Sequence, residues 1–307
     1  MITAGKGRLV ALAAVAVGAT VALAGCASGD PLDDGSTGDA TSETIVVGSQ
    51  DYYSNEIIAE IYAQALEANG YTVDRQFRIG QREVYIPEIE SGAIDVFPEY
   101  TGNLLQYYVP DTTATTSDDV YDELETSLPE GLRVLDQSPA TDQDSYNVTA
   151  EFSEQNDVTS LADLKNVTTP ITLGGNSELA TRPYGPEGLK SVYGVEVGFT
   201  PIEDSGGPLT LKALVDNQVQ MVNIYSADPN IAANDLVTLE DPEGLFLASH
   251  VVPVVSEKVT DEIADVINTV SAALTAEDLV ALNSLSVNEQ QSAEQIASDW
   301  LAEQDLF

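Results

Sequence analysis

Residues 82–108, REVYIPEIESGAIDVFPEYTGNLLQYY, constrain the fold more tightly than any other stretch of the chain. Val84, Ile86 and Ile89 give a short apolar helical face, and Ser91-Gly92 stops that helix. Ala93-Ile94-Asp95-Val96-Phe97 reads as a short buried strand. Pro98 cannot donate to a ladder, so the strand is expected to end there. Glu99-Tyr100-Thr101-Gly102-Asn103 then falls at the carboxyl end of a strand and the start of the next helix. In open α/β sheets that edge is where ligands sit. An aromatic ring, a hydroxyl, a glycine and an amide placed there can meet a small molecule, with helix N–H groups nearby.

The same alternation runs through the body of the chain. Residues 44–48 form a first apolar strand. Residues 55–69 form an amphipathic helix with Ile57, Ile58, Ile61, Tyr62 and Leu66 on one face, closed by Gly70. A strand is expected over 71–79, a helix over 118–127 and a strand over 132–135. The pattern changes around 141–147, TDQDSYN, and a second series begins. Its strands are expected at 171–173, 195–202, 220–224 and 236–239, and its helices at 161–164, 186–193 and 208–217. After a strand at 251–255 the chain turns to helices only, over 260–274, 276–284 and 288–301. Strands alternating with helices at this spacing argue for βαβ units and a mainly parallel sheet.

Composition narrows the function. Eleven Lys and Arg against 51 Asp and Glu give a net charge of −40. Phosphate binding needs clustered cations, so nucleic acid is excluded as a partner. The folded body would also be repelled by an anionic membrane surface. Lys6 and Arg8 precede an apolar run from Leu9 to Leu23, and Leu23-Ala24-Gly25-Cys26 reads as a lipobox. Residues 1–25 are therefore expected to be a lipoprotein signal peptide, with lipid on Cys26. An ordinary signal peptide or an uncleaved anchor is the other reading. Cys26 is the single cysteine, which rules out an internal disulfide. Residues 26–43 are Gly-, Ser-, Thr- and Asp-rich and read as a disordered acidic tether. There is no G-x-S-x-G, no H-E-x-x-H, no P-loop and no cysteine-rich metal site, and His250 is the single histidine. An enzyme, a cofactor and a metal are not expected.

The run Glu-Ser-Gly-x-Ile-Asp-x-x-Pro-Glu-Tyr-Thr-Gly at 90–102 resembles the signature of osmoprotectant-binding proteins of ABC importers, which take glycine betaine, choline, carnitine and related quaternary amines. Further likeness lies at Gly48-Ser49, 182–189 and 225–228. The resemblance implies a two-lobed periplasmic-binding-protein fold of type II, each lobe a mainly parallel sheet flanked by helices, with the ligand in the interlobe cleft. It implies a discontinuous first lobe of 44–146 plus 250–307 and a second lobe of 147–249. It also implies a monomer that hands its solute to a membrane permease. In such proteins a cage of tyrosines holds the ammonium by cation–π attraction, because a trimethylammonium has no N–H to donate. Tyr100, Tyr146 and Tyr225 match cage tyrosines. Arg182, in Arg182-Pro183-Tyr184-Gly185, matches an arginine that can clamp a ligand carboxylate. Asn103 stands where a ligand-touching threonine is usual. Gln50 stands in place of a lysine, and Ser249 in place of a further cage tyrosine. Tyr52, Tyr53 or His250 is then a candidate for the missing wall. Asp51 or Asp144 facing the cleft would favour choline or a larger amine, or, in the alternative reading, an amino acid or polyamine held by carboxylates.

Overall fold

The computed structural model describes residues 44–307. The expected signal peptide at 1–25, the expected lipid site Cys26 and the expected tether at 26–43 lie outside the described residues. The strands in chain order are β1 (Ile45–Gly48), β2 (Val73–Gln76), β3 (Val96–Tyr100), β4 (Leu132–Val134), β5 (Asp144–Thr149), β6 (Thr172–Gly175), β7 (Gly198–Pro201), β8 (Met221–Tyr225), β9 (Leu236–Thr238) and β10 (Val251–Ser256). They form two sheets, ordered β2-β1-β3-β10-β4 and β7-β6-β8-β5-β9. β1 pairs parallel with β2 and β3, and β6 with β7 and β8. β10 and β5 run antiparallel to both of their neighbours. Each sheet is thus mixed, with all strands but one sharing a direction. The reversed strand is in each case the first after the chain passes over from the other sheet.

Both faces of each sheet are covered, as strands with apolar side chains on both faces require. On one face of the first sheet, α1 (Tyr53–Ala68) sets Ile57, Ile61 and Leu66 against Ile263, Ile267, Leu279, Ile296 and Trp300 of the three C-terminal helices. On the other, Tyr85 and Ile89 of α2 (Arg82–Glu90) meet Phe97, Val254 and Leu104 of α3 (Thr101–Tyr108). The second sheet buries Val148, Leu173 and Met221 on one face, and Leu214, Val222 and Ile224 on the other. Burying each such side chain stabilises by roughly 1.5–3 kcal/mol before entropy is counted.

Three expectations need correction. β3 does not stop at Pro98 but runs through it to Tyr100, with Pro98 opposite Pro253 of β10. The Pro98 carbonyl accepts from Asn55 Nδ2 at 2.9 Å, and the Pro253 carbonyl from the Leu135 N–H at 2.9 Å. At both prolines the polar backbone edge points away from the shared ladder, so the missing N–H removes no bond from it. Second, the expected boundary after Tyr146 falls inside β5, already in the second sheet. The passage lies at 141–143, between the Ala140 carbonyl, which bonds β10, and the Gln143 carbonyl, which accepts from Ser226 beyond β8. The return comes just ahead of the expected Ser249, because Leu245 sits in the second lobe's core and Leu247 in the first lobe's. Third, the edge strands expected at 71–79 and 195–202 shrink to β2 and β7.

Candidate functional site

A narrow cavity lies between the carboxyl-end loops of the two sheets. Its first wall is built by the 99–103 turn. Glu99, fully buried, points away from the cavity and grips Arg82 at the start of α2 through two 2.8 Å bonds. The Tyr85 hydroxyl and the Tyr100 N–H also donate to it, at 2.6 and 2.9 Å. These bonds satisfy the buried carboxylate and fix Arg82 at the cavity wall. Gly102 lets α3 approach the returning chain, since a Cβ there would stand 2.8 Å from the Ala248 carbonyl. Asn103, one residue on, therefore reaches the cavity.

The opposite wall comes from the 182–185 turn. Gly185 N–H donates to the Arg182 carbonyl at 2.9 Å, and a Cβ on Gly185 would come within 2.0 Å of the Leu179 carbonyl. Only glycine allows that crossing, which turns both Arg182 and Tyr184 into the cavity. Arg182 is ion-paired with Glu83 of α2 at 3.0 Å. Gln81 donates to the Ser205 hydroxyl at 3.0 Å, so two polar contacts join the lobes along this edge.

Tyrosines and acids fill the floor. Tyr52, at the start of α1, donates its hydroxyl to that of Tyr100 at 2.5 Å and packs on Tyr225 with ring centroids 4.9 Å apart. Burial pushes the Tyr52, Tyr100, Tyr184 and Tyr225 phenols above their usual range, which keeps them neutral near pH 7. Asp144 accepts from Asn103 Nδ2 and Asn223 Nδ2, each at 2.6 Å. Asp142, 3% exposed, accepts the Ala227 N–H on Oδ1 at 2.9 Å. The Ser54 hydroxyl lies near this carboxyl, yet no hydrogen bond of good geometry reaches Oδ2. Burial, helped by Asp228 and Asp144, pushes the Asp142 carboxyl up to about 7 against the opposing Ala227 N–H and Ser54. Gln50 is 5% exposed, with its N–H on Asn55 Oδ1 at 2.8 Å and its Nε2 without a partner.

The structure brings Tyr100, Asn103, Arg182, Tyr225 and Gln50 to one cavity. Two other expected residues are not in its lining. Tyr146 lies on β5, fully buried in the second lobe's core, with its ring against Phe246 and its hydroxyl on the Tyr184 carbonyl. It sits one step deeper along the strand than Asp144, on the same face, so Asp144 takes the place at the cleft. Ser249 is buried behind Asn103, donating to its Oδ1 at 3.1 Å while accepting the Gly102 N–H at 3.2 Å. It orients an amide instead of forming a wall. Of the replacement walls, Tyr52 lines the cavity. Tyr53 turns to Asp228 at 2.9 Å, and His250 Nδ1 to the Ser138 carbonyl at 2.9 Å. Of the two candidate acids, Asp144 lines the cavity, whereas Asp51 is exposed outside it.

Arg82, Asp142, Tyr184 and Asn223 also line the cavity, and sequence reasoning did not single them out. Tyr184 was within reach, because it stands inside the same Arg-x-x-Gly turn as Arg182. Among the described residues no group of three or more His, Cys, Asp and Glu side chains is placed to hold a metal ion. No helix among them is long and apolar enough to cross a membrane.

Comparison with known proteins agrees with this geometry. Residues 43–303 match the OpuAC family model, the substrate binding domain of ABC-type glycine betaine transport system. The glycine betaine-binding protein YehZ of Escherichia coli (strain K12) is 27% identical over 272 residues, spanning 84% of this chain and 89% of that protein. A glycine-betaine-binding protein of Pseudomonas aeruginosa is 25% identical over 282 residues, spanning 87% and 90%. The crystal structure of a glycine betaine/carnitine/choline ABC transporter protein superposes with a TM-score of 0.69 at 18% identity, covering 85% of this chain and 99% of that one, and so shares the fold.

Proposed function

The chain belongs to the family of substrate binding domains of ABC-type glycine betaine transport systems, and we propose that it captures a quaternary ammonium solute between its lobes and delivers it to a transporter permease. In this reading the protein works on the extracytoplasmic face, held to the membrane through lipid on Cys26. The observation that carries the ligand class is the ring of Tyr52, Tyr100, Tyr184 and Tyr225 around one cavity, all neutral, the first three buried and Tyr225 partly buried. Each ring face contributes on the order of 0.5–2 kcal/mol to a desolvated cation. Lobe closure then follows from the ligand's greater affinity for the closed arrangement.

Calorimetric titration of the chain with glycine betaine, choline, carnitine and proline betaine tests this. Micromolar binding of at least one is expected, with a loss of about tenfold or more in Tyr100→Ala. A folded chain that binds none of them would sink the reading. The second reading, an amino acid or a polyamine, draws on Asp142 and Asp144 at the cavity. Those carboxylates could accept from ammonium N–H groups, and titration with arginine and putrescine separates the two.

A further inference from the structure

We propose that Asp142 sets the charge class of the ligand, so that the cavity takes a quaternary ammonium alcohol, a net cation, in preference to a zwitterion ending in a carboxylate. The inference rests on the quaternary-amine reading above and deepens it.

The argument is a charge inventory of the cavity wall. Its two arginines are already neutralised: Arg82 by the bidentate Glu99, and Arg182 by Glu83. Its three acids are not: the Glu178 carboxylate accepts only from the Ser177 hydroxyl at 3.4 Å. Asp144 is held by the amides of Asn103 and Asn223, and Asp142 by a backbone N–H, all neutral donors. The lining therefore carries uncompensated negative charge in a desolvated space, where opposite charge is attracted strongly. A monocation answers that field. A zwitterion brings a carboxylate into the same field, where it meets three acids and two arginines that are already paired.

The unpartnered atoms point the same way. Asp142 Oδ2 is a buried acceptor and Gln50 Nε2 a buried donor, each on a residue that lines this cavity. A hydroxyl is the smallest ligand group that can accept from one and donate to the other. A carboxylate could satisfy Gln50 but would repel ionised Asp142.

The groups facing Asp142 are Asp144 on β5, Asp228 beyond β8, and the phenols of Tyr52, Tyr53, Tyr100 and Tyr225. Burial pushes Asp142 up to about 7, so cation binding is linked to proton release below that pH.

The test is titration of the full-length protein in mild detergent with choline and with glycine betaine, at about pH 8 and about pH 6, for wild type and Asp142→Asn. At the higher pH choline is expected to bind at least about tenfold tighter than glycine betaine. Its affinity should fall by up to about tenfold at the lower pH, while that of glycine betaine holds or improves. Asp142→Asn should remove the pH dependence for choline and cost it about tenfold in affinity. Glycine betaine binding as tightly as choline to the wild type at the higher pH would overturn the inference and leave the quaternary-amine reading standing. Choline affinity that ignores both pH and the substitution would do the same. The wild-type comparison needs no variant to fold. Binding of neither ligand would remove the quaternary-amine reading and this inference with it.

Discussion

Asp142 costs the folded protein stability in the pH range where the cavity needs its charge. Its folded pKa of about 7 lies above the value near 3.9 expected in an unfolded chain. A carboxyl raised in this way contributes full stability below about pH 3.9, and that contribution is lost as pH rises through about 7. Asp142→Asn should therefore stabilise the ligand-free protein by a few kcal/mol, on the order of the shift times 1.36 kcal/mol, at about pH 8 and by little at about pH 4.5. Denaturant unfolding at the two pH values checks it, and equal stability of the two proteins at the higher pH would contradict a buried, destabilising charge. Neighbouring residues differ sharply in how legible they were. Tyr100 and Arg182 could be read because short fixed spacings carry them into turns. Arg82 could not, because nothing in the sequence says that Glu99 turns inward and holds it at the wall. Tyr146 was misread because its strand register puts Asp144, not the ring, at the cleft end of the shared face.

Helix α3 depends on one missing side chain. A Cβ at Gly102 would meet the Ala248 carbonyl at 2.8 Å and Leu247 Cβ at 2.9 Å, both on the chain returning from the second lobe. The obstacle includes backbone, so relief requires α3 or the returning segment to move. Gly102→Ala should destabilise by about 1–3 kcal/mol, the usual cost of overpacking. It should also weaken ligand binding, because Asn103 and the Ser249 hydroxyl that orients it move with the helix. Thermal unfolding and titration of one preparation check both effects, and an unchanged midpoint would mean that the returning segment yields without strain. Elements with a strong apolar period were plain in the sequence, α1 and the three C-terminal helices above all. β5 was not, although it is a buried inner strand, because Asp144, Ser145 and Asn147 break the apolar pattern there. Its polar side chains are satisfied by partners that only the fold supplies: Ser145 on the Ile224 carbonyl at 2.6 Å, and Asn147 on the Thr238 hydroxyl at 2.6 Å. β3 escaped its expected end because a second proline stands opposite the first, a coincidence between residues far apart in the chain.

The net charge of −40 acts on the molecule as a body. The few cations screen little of it, because most of those among the described residues are already engaged. Arg75 bridges Glu60 and Glu67, Arg78 meets Glu56, Arg133 meets Asp261, Lys190 meets Glu196, Lys212 meets Asp216 and Lys258 meets Asp95. What remains is a large excess of acids that repel one another and favour expansion. Glu60 and Asp95 are buried, but the pairs with both partners exposed each contribute about 0–1 kcal/mol, so losing those to salt costs little. Relief of the repulsion should dominate. The Debye length shrinks from about 30 Å at 0.01 M to about 3 Å at 1 M, which brings it below the spacing of most surface charges. The unfolding midpoint is therefore expected to rise by several degrees, roughly 1–2 kcal/mol of stabilisation, between those sodium chloride concentrations. Potassium chloride should match it, since screening does not distinguish the two cations, whereas sodium sulfate at equal ionic strength should exceed it by strengthening apolar burial as well. A midpoint that stays flat or falls in both chlorides would show that the pairs outweigh the surplus, and that the acids are spaced widely enough to leave the fold indifferent to their number.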